Sequence, residues 1–399
     1  MRHSLNIYYL YNKKHKVVNL KLNFKKRCWA QIDFDALEFN MQLIMKKLDK
    51  NEKIMAVVKA DAYGCGAKSV ANFLQKRFQI KHWAVASLEE ATDLRKARIQ
   101  GEILVLGYTP TNLANLLSFN KISQSVYCRE YALALSKELE KLNKNILIHL
   151  VVDTGMNRIG FLPSGDLSQY ENLPGFKLNG IYTHLCCADS LSKADRVFTL
   201  DQIRKFSEVA KNFKNPHCKN SAAILKEIGN GFSYARPGII LYGLKPSSQV
   251  KCDALRPVMS FKTVVSMVKT VKKGEFVGYG RNFCANSEKK IATIPVGYAD
   301  GYPRFLSNKG KVLINGKIAT VAGNVCMDQT MLDVTNLDVW PGDVVTLFGS
   351  DGKNSITADD IADSIGTIGY EVVCGISKRV PRIYSYRGKE IDPISDDIL

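Results

Sequence analysis

Short apolar runs recur between residues 30 and 245, separated by stretches of helical length. The runs at 54–60, 82–86, 103–106, 123–127, 146–152, 177–183, 216–219 and 232–236 have the length and β-branched content of buried strands. Between them the apolar spacing widens to the helical period. Over 35–50, Leu37, Met41, Ile44, Met45 and Leu48 fall on one face, and 88–98, 129–142 and 196–213 read the same way. Eight strands alternating with helices predict a (β/α)8 barrel of the TIM type. After Pro246 the pattern changes. The runs at 264–271, 290–294, 311–314, 318–321, 331–334 and 344–348 follow one another without long helices, and Gly316, Gly323, Gly342 and Gly349 punctuate them. They predict a separate, mainly antiparallel β domain with one helix at 357–365. The expected organisation is an arm at 1–27, a barrel at 28–245 and the β domain at 246–399. There is no internal repeat and no low-complexity linker.

Composition changes this picture little. The 399 residues are 46% apolar and 24% charged, enough for two cores. No apolar run approaches the roughly 18 residues of a membrane span. Ten cysteines include no C-x-x-C pair, and Cys186–Cys187 is the only adjacent pair. That spacing offers no metal site and no disulfide framework, and it fits a reducing cytoplasm. The net charge of +18 is concentrated at the start. Residues 1–27 carry eight basic and no acidic side chains, leaving +10 on the rest. The body lacks basic runs interleaved with aromatics, which argues against specific nucleic-acid binding. The arm lacks the apolar core of a signal peptide and is expected to be disordered.

The candidate chemistry sits where the strands end, the active face of a barrel. Ile54-Met-Ala-Val-Val-Lys-Ala-Asp-Ala-Tyr-Gly64 brings Lys59 to the end of the first strand. Lysine is rarely buried without a task, and desolvation favours the neutral amine that a Schiff-base nucleophile needs. Four more polar clusters follow later strands. They are His149-Leu-Val-Val-Asp-Thr-Gly-Met-Asn-Arg158, Gly180-Ile-Tyr-Thr-His184, His217-Cys-Lys-Asn-Ser221 and Ala235-Arg-Pro-Gly-Ile239. Loops after strands seven and eight often bind phosphate. Ser221 offers a hydroxyl there, and Gly238 allows close approach of backbone N–H groups.

These segments resemble the alanine racemases, fold-type III enzymes dependent on pyridoxal 5′-phosphate (PLP). Phe276-Val-Gly-Tyr-Gly280, Val296-Gly-Tyr-Ala-Asp-Gly-Tyr-Pro-Arg304, Cys326-Met-Asp-Gln329 and Thr367-Ile-Gly-Tyr-Glu-Val372 extend the resemblance through the second domain. It implies that Lys59 carries the cofactor and exchanges the α-proton of the D-substrate, and that Tyr279 serves the L-substrate. It assigns the cofactor phosphate to Tyr63, Asn220, Ser221, Gly238, Ile239 and Tyr370. It sets Arg236 at the pyridine nitrogen, with His184 packing near the ring and linking Arg236 to Tyr279. Arg158 would meet the cofactor's phenolic oxygen and the substrate carboxylate, a group its planar fork suits. Met327 would also border the substrate. In this family the β domain of one subunit closes the barrel mouth of another. A homodimer is therefore implied, with Tyr279 and Met327 acting across it. The substrate implied is a small amino acid, and the role implied is supply of D-alanine for peptidoglycan.

The chain departs from the family pattern at several points. Val151 replaces a lysine that is often carbamylated to orient the arginine matching Arg158. Asn324 replaces an arginine of the substrate entrance, where Asp189 and Arg304 are its expected neighbours. Cys186 and Cys187 stand where small or hydroxyl residues are usual. These changes open a second reading, a broader racemase that also accepts serine. A fold-type III decarboxylase is the third reading. It is disfavoured because Arg236 cannot protonate the ring nitrogen that decarboxylation needs protonated. A PLP-storage protein would lack the β domain.

Overall fold

The computed structural model describes residues 27–250 and 252–394. Residues 1–26 of the arm expected at 1–27 lie outside the described residues. Arg27, its last residue, is fixed, donating from Nη1 to Asp300 at 2.9 Å.

The eight expected barrel strands are all present and all parallel. They are β2 (Lys53–Val57), β3 (His82–Val85), β4 (Glu102–Val105), β5 (Ser123–Val126), β6 (Ile146–Val151), β7 (Phe176–Tyr182), β8 (Pro216–His217) and β9 (Tyr234–Ala235). Their order, β8-β7-β6-β5-β4-β3-β2-β9, follows the chain until β9 returns beside β2. A parallel bridge between Lys219 and Ala235 closes the ring. Helices Leu88–Lys96, Arg129–Lys141 and Lys193–Ala210 occupy the expected stretches. The helix expected at 35–50 stops early, running Phe34–Met45. Asp33 caps it, accepting from the N–H groups of Asp35 and Ala36. The Asp49-Lys50-Asn51 stretch beyond is a poor helix continuation.

The sheet of the second domain contains the six strands read from the sequence. It also contains β1 (Cys28–Asp33), placed by the sequence reading at the start of the barrel. β1 runs antiparallel to β10 (Met259–Val264) and parallel to the strand Arg382–Tyr386. Cys28, Ala30 and Ile32 point into that domain's core. The second sheet thus takes a strand from before the barrel, and the two domains share one framework. Phe34, Phe73 and Tyr386 continue the seam, with ring centroids 4.5 and 5.2 Å apart. Tyr384, whose ring lies 5.4 Å from that of Phe34, carries the seam to the loop after Lys59, where a Cβ on Gly66 would meet its hydroxyl. Gly64 makes the approach possible: a Cβ there would lie 2.3 Å from the Val373 carbonyl oxygen.

Candidate active site

Lys59 sits two residues past the end of β2, not within the strand. The four residues after it, Ala60, Asp61, Ala62 and Tyr63, have φ of 52, 54, 55 and 53°. Such left-handed backbone costs L-residues roughly 1–2 kcal/mol each. Glu90 offsets part of that cost, one carboxylate oxygen accepting from Ala60 N–H at 2.7 Å and the other from Ala86 N–H at 2.8 Å. The turn aims Lys59 and Tyr63 into one cavity. Burial and the nearby Arg158 cation lower the Lys59 amine's pKa from its ordinary value. The neutral nucleophile is thereby favoured.

The cavity has a volume of about 490 Å³, within the range of small-molecule sites. Lys59, Tyr63, Arg158, His184, Asn220, Ser221, Arg236, Gly238, Ile239 and Tyr370 all line it. At one end Gly238 donates its N–H to Ser221 Oγ at 3.0 Å. A Cβ on Gly238 would stand 2.5 Å from Tyr63 Oη, so only glycine leaves the cradle open. Asn220 caps the helix Ser221–Leu225 through Oδ1 and is anchored by its amide on the Leu185 carbonyl. Hydroxyls and backbone donors converge here as a phosphate requires.

Arg236 is buried and touches no carboxylate. Its guanidinium donates to the carbonyls of Thr183 (2.7 Å) and His217 (3.0 Å), to His217 Nδ1 (2.6 Å) and, at 3.5 Å, towards His184 Nδ1. His217 Nε2 lies 3.0 Å from His149 Nδ1, and His149 Nε2 lies 2.9 Å from Glu102 Oε1. One proton assignment satisfies every contact. His149 donates to Glu102, His217 donates to His149, and His217 Nδ1 accepts from Arg236. Glu102 at the N-terminal end of β4 is thus connected to Arg236 through two imidazoles. Burial opposes the Glu102 charge, but hydrogen bonds from His149, Ser123 and Asn179 prevail and bring its pKa down to about 2. Burial and the Arg236 charge push His184 down to about 3, so it is neutral at ordinary pH. Sequence reasoning assigned no role to Glu102, His149 or His217. The two histidines lay in segments already singled out, but nothing local marked Glu102.

Two expected residues are not in this cavity. Tyr279 is 74% exposed and Met327 is 54% exposed, both on the β domain. The link from His184 to Tyr279 is therefore not made within one chain. Asn324, expected at the entrance, is buried at 8% exposure. Its amide donates to the Tyr279 carbonyl at 2.8 Å and accepts from Asn282 at 3.0 Å. Asp189 lines the cavity, whereas Arg304 is exposed and bonds the Val325 carbonyl. Val151 is part of the cavity wall. Among the described residues, no side-chain hydrogen bond or ion pair holds Arg158.

A lysine amine, an anion cradle and a carboxylate-free arginine on one barrel face, backed by an antiparallel β domain, define a class of two-domain barrel enzyme. Comparison with known proteins resolves the class. Residues 32–246 match the N-terminal domain model of alanine racemase, and residues 258–384 match its C-terminal domain model. The chain is 44% identical over 375 residues to the alanine racemase of Clostridium novyi, covering 91% of this chain and 96% of that one. The alanine racemase of Clostridium difficile 630 superposes with a TM-score of 0.86 at 37% identity, covering 92% and 97% of the two chains. Its structure in complex with cycloserine gives 0.82 at 36% identity, over the same shares of each chain. The chain belongs to the alanine racemase family. It is an isomerase that interconverts L- and D-alanine, and the decarboxylase reading falls away.

Proposed function

We propose that this chain racemises alanine with PLP held on Lys59, using Lys59 and the Tyr279 of a second copy as the two bases. The observation that carries the proposal is the meeting of Lys59, the Gly238 cradle and carboxylate-free Arg236 in one cavity. These residues fit PLP by their chemistry. The cradle suits a phosphate, the lowered lysine suits an aldehyde, and a donor-only guanidinium suits an unprotonated ring nitrogen. When bound, PLP supplies the electron-withdrawing ring that makes the α-C–H of the amino acid acidic.

The chain's own groups do the rest. Tyr63, Asn220, Ser221, Gly238, Ile239 and Tyr370 hold the phosphate. Arg158 orients the substrate carboxylate, and Met327 borders the substrate. Lys59 gives or takes the α-proton on one face, and Tyr279 on the other. Arg236, with His217, His149 and Glu102 behind it, keeps the ring nitrogen unprotonated, so that the proton returns to the α-carbon. The exposure of Tyr279 and Met327 supports a homodimer in which each β domain completes its partner's site. No helix among the described residues is long and apolar enough to cross a membrane, and all ten thiols are free. The free thiols fit a reducing cytoplasm, and the family match supports a role in supplying D-alanine for peptidoglycan.

Borohydride reduction of the holoenzyme followed by peptide mapping tests the assignment. The fixed cofactor should be recovered on Lys59. Recovery on another lysine would overturn it, and Lys59→Ala should lose both the label and nearly all activity.

A further inference from the structure

Cys186 and Cys187 follow β7 at the rim of the cavity and have no part in the proton transfers proposed above. Cys186 is exposed and contributes to the cavity wall beside His184 and Asp189; Cys187 is half-buried. Their sulfurs are 3.8 Å apart. Both rest on the helix Lys193–Ala210. Cys186 Sγ donates to Gln202 Oε1 at 3.5 Å, and the same oxygen accepts the Cys186 N–H at 3.2 Å. Cys187 Sγ donates to the Asp195 carbonyl at 3.5 Å and lies 3.5 Å from Thr199 Oγ1.

Magnitudes decide what such a pair can do. A disulfide needs sulfurs about 2.05 Å apart on Cα atoms about 4.4–6.8 Å apart, whereas adjacent residues have Cα atoms about 3.8 Å apart. Oxidation would therefore strain the chain. A single soft atom bridging the sulfurs suits the geometry better. With bonds to sulfur of about 2.3 Å, the 3.8 Å separation subtends about 111° at a bridging atom, so a pyramidal centre with a narrower angle draws the sulfurs together by a few tenths of an ångström, far less than a disulfide needs. No third His, Cys, Asp or Glu joins the pair in a metal-binding group among the described residues. A cation that needs three or four protein donors is not served. An atom that brings its own third substituent is. Partial burial and the adjacent Cys187 push the Cys186 thiol up to about 11, so Cys186 enters as a protonated thiol and its proton must leave with the group that the ligand loses.

We propose that Cys186 and Cys187 form a dithiol site for monosubstituted trivalent arsenicals, R–As(OH)2, and that occupancy closes the cavity. Each S–H bond breaks as an As–S bond forms, and each As–OH leaves as water with the thiol proton. Arsenic stays trivalent, so no oxidant or reductant is consumed. The binding step stands on the thiol geometry alone. The inhibition rests on the reading of the cavity as the active site.

The test uses the holoenzyme and phenylarsonous acid. One arsenic should bind per chain with loss of two titratable thiols, and peptide mapping should place it on residues 186–187. Racemase activity should fall at least tenfold and return with 2,3-dimercaptopropanol but not with an excess of monothiol. Cys186→Ser and Cys187→Ser should each weaken binding by about 10²-fold or more, since each removes the intramolecular second bond. Equal binding by wild type and variants, or arsenic recovered on another cysteine, would overturn the site. Arsenic on 186–187 with undiminished activity would overturn the closure of the cavity, while borohydride mapping of Lys59 tests the active-site reading separately.

Discussion

Arg236 carries a buried positive charge whose nearest linked negative charge is two imidazoles away. Glu102→Gln isolates the contribution of that charge, because the amide oxygen still accepts from His149 while the charge is gone. The folded Glu102 pKa lies near 2 against an ordinary 4.5. A lowered carboxylate stabilises the fold above its unfolded pKa and loses that contribution as pH falls through the folded value. The stability gap between wild type and variant should thus be largest above about pH 4.5, on the scale of 3 kcal/mol, and shrink towards pH 2. Urea unfolding at about pH 6 and about pH 3 measures it, and an equal gap at both would contradict the relay. At Val151 a different expectation applies. Without an anionic neighbour for Arg158, alanine should remain the best substrate, but serine should be turned over within about 10²-fold in kcat/KM, since a small pocket rejects one hydroxyl poorly. Undetectable serine turnover at high enzyme concentration would refute it.

Among the elements, the loop bearing Tyr279 departs most from what the sequence suggested. Asn324 matches an entrance arginine in sequence, yet its amide is engaged with the Tyr279 carbonyl and Asn282. These bonds support a positioning role towards the tyrosine, which a substitution tests. Asn324→Ala removes hydrogen bonds to two exposed partners, at about 0.5–1.5 kcal/mol each. It should lower kcat roughly tenfold with little change in KM, more strongly in solvent-deuterium exchange from L-alanine than from D-alanine. Equal losses from both isomers would reduce Asn324 to a structural role. Nine of the ten cavity residues lie in segments at strand ends; their roles, and Tyr370 altogether, came from the family resemblance. The barrel strands were legible in the sequence because strand periodicity is a local signal. The left-handed turn after Lys59 was not, since Ala-Asp-Ala-Tyr has no glycine to announce it and long-range support from Glu90 holds it. β1 was missed as a β-domain strand because its partners are more than 200 residues away in sequence. Glu102 was missed because its partners come from β5, β6 and β7.

For the whole molecule, one chain holds Lys59 in a cavity and Tyr279 on an exposed β-domain loop. The two-base racemase proposed above accordingly takes two copies of this chain. The most direct test mixes two inactive variants, Lys59→Ala and Tyr279→Phe, each with a different affinity tag, after reversible dissociation. A hybrid dimer has one site lacking both bases and one site with both intact. Random reassociation should restore about a quarter of wild-type activity, all of it in dimers carrying both tags. Purified hybrid dimers with no activity above either parent would contradict the shared site.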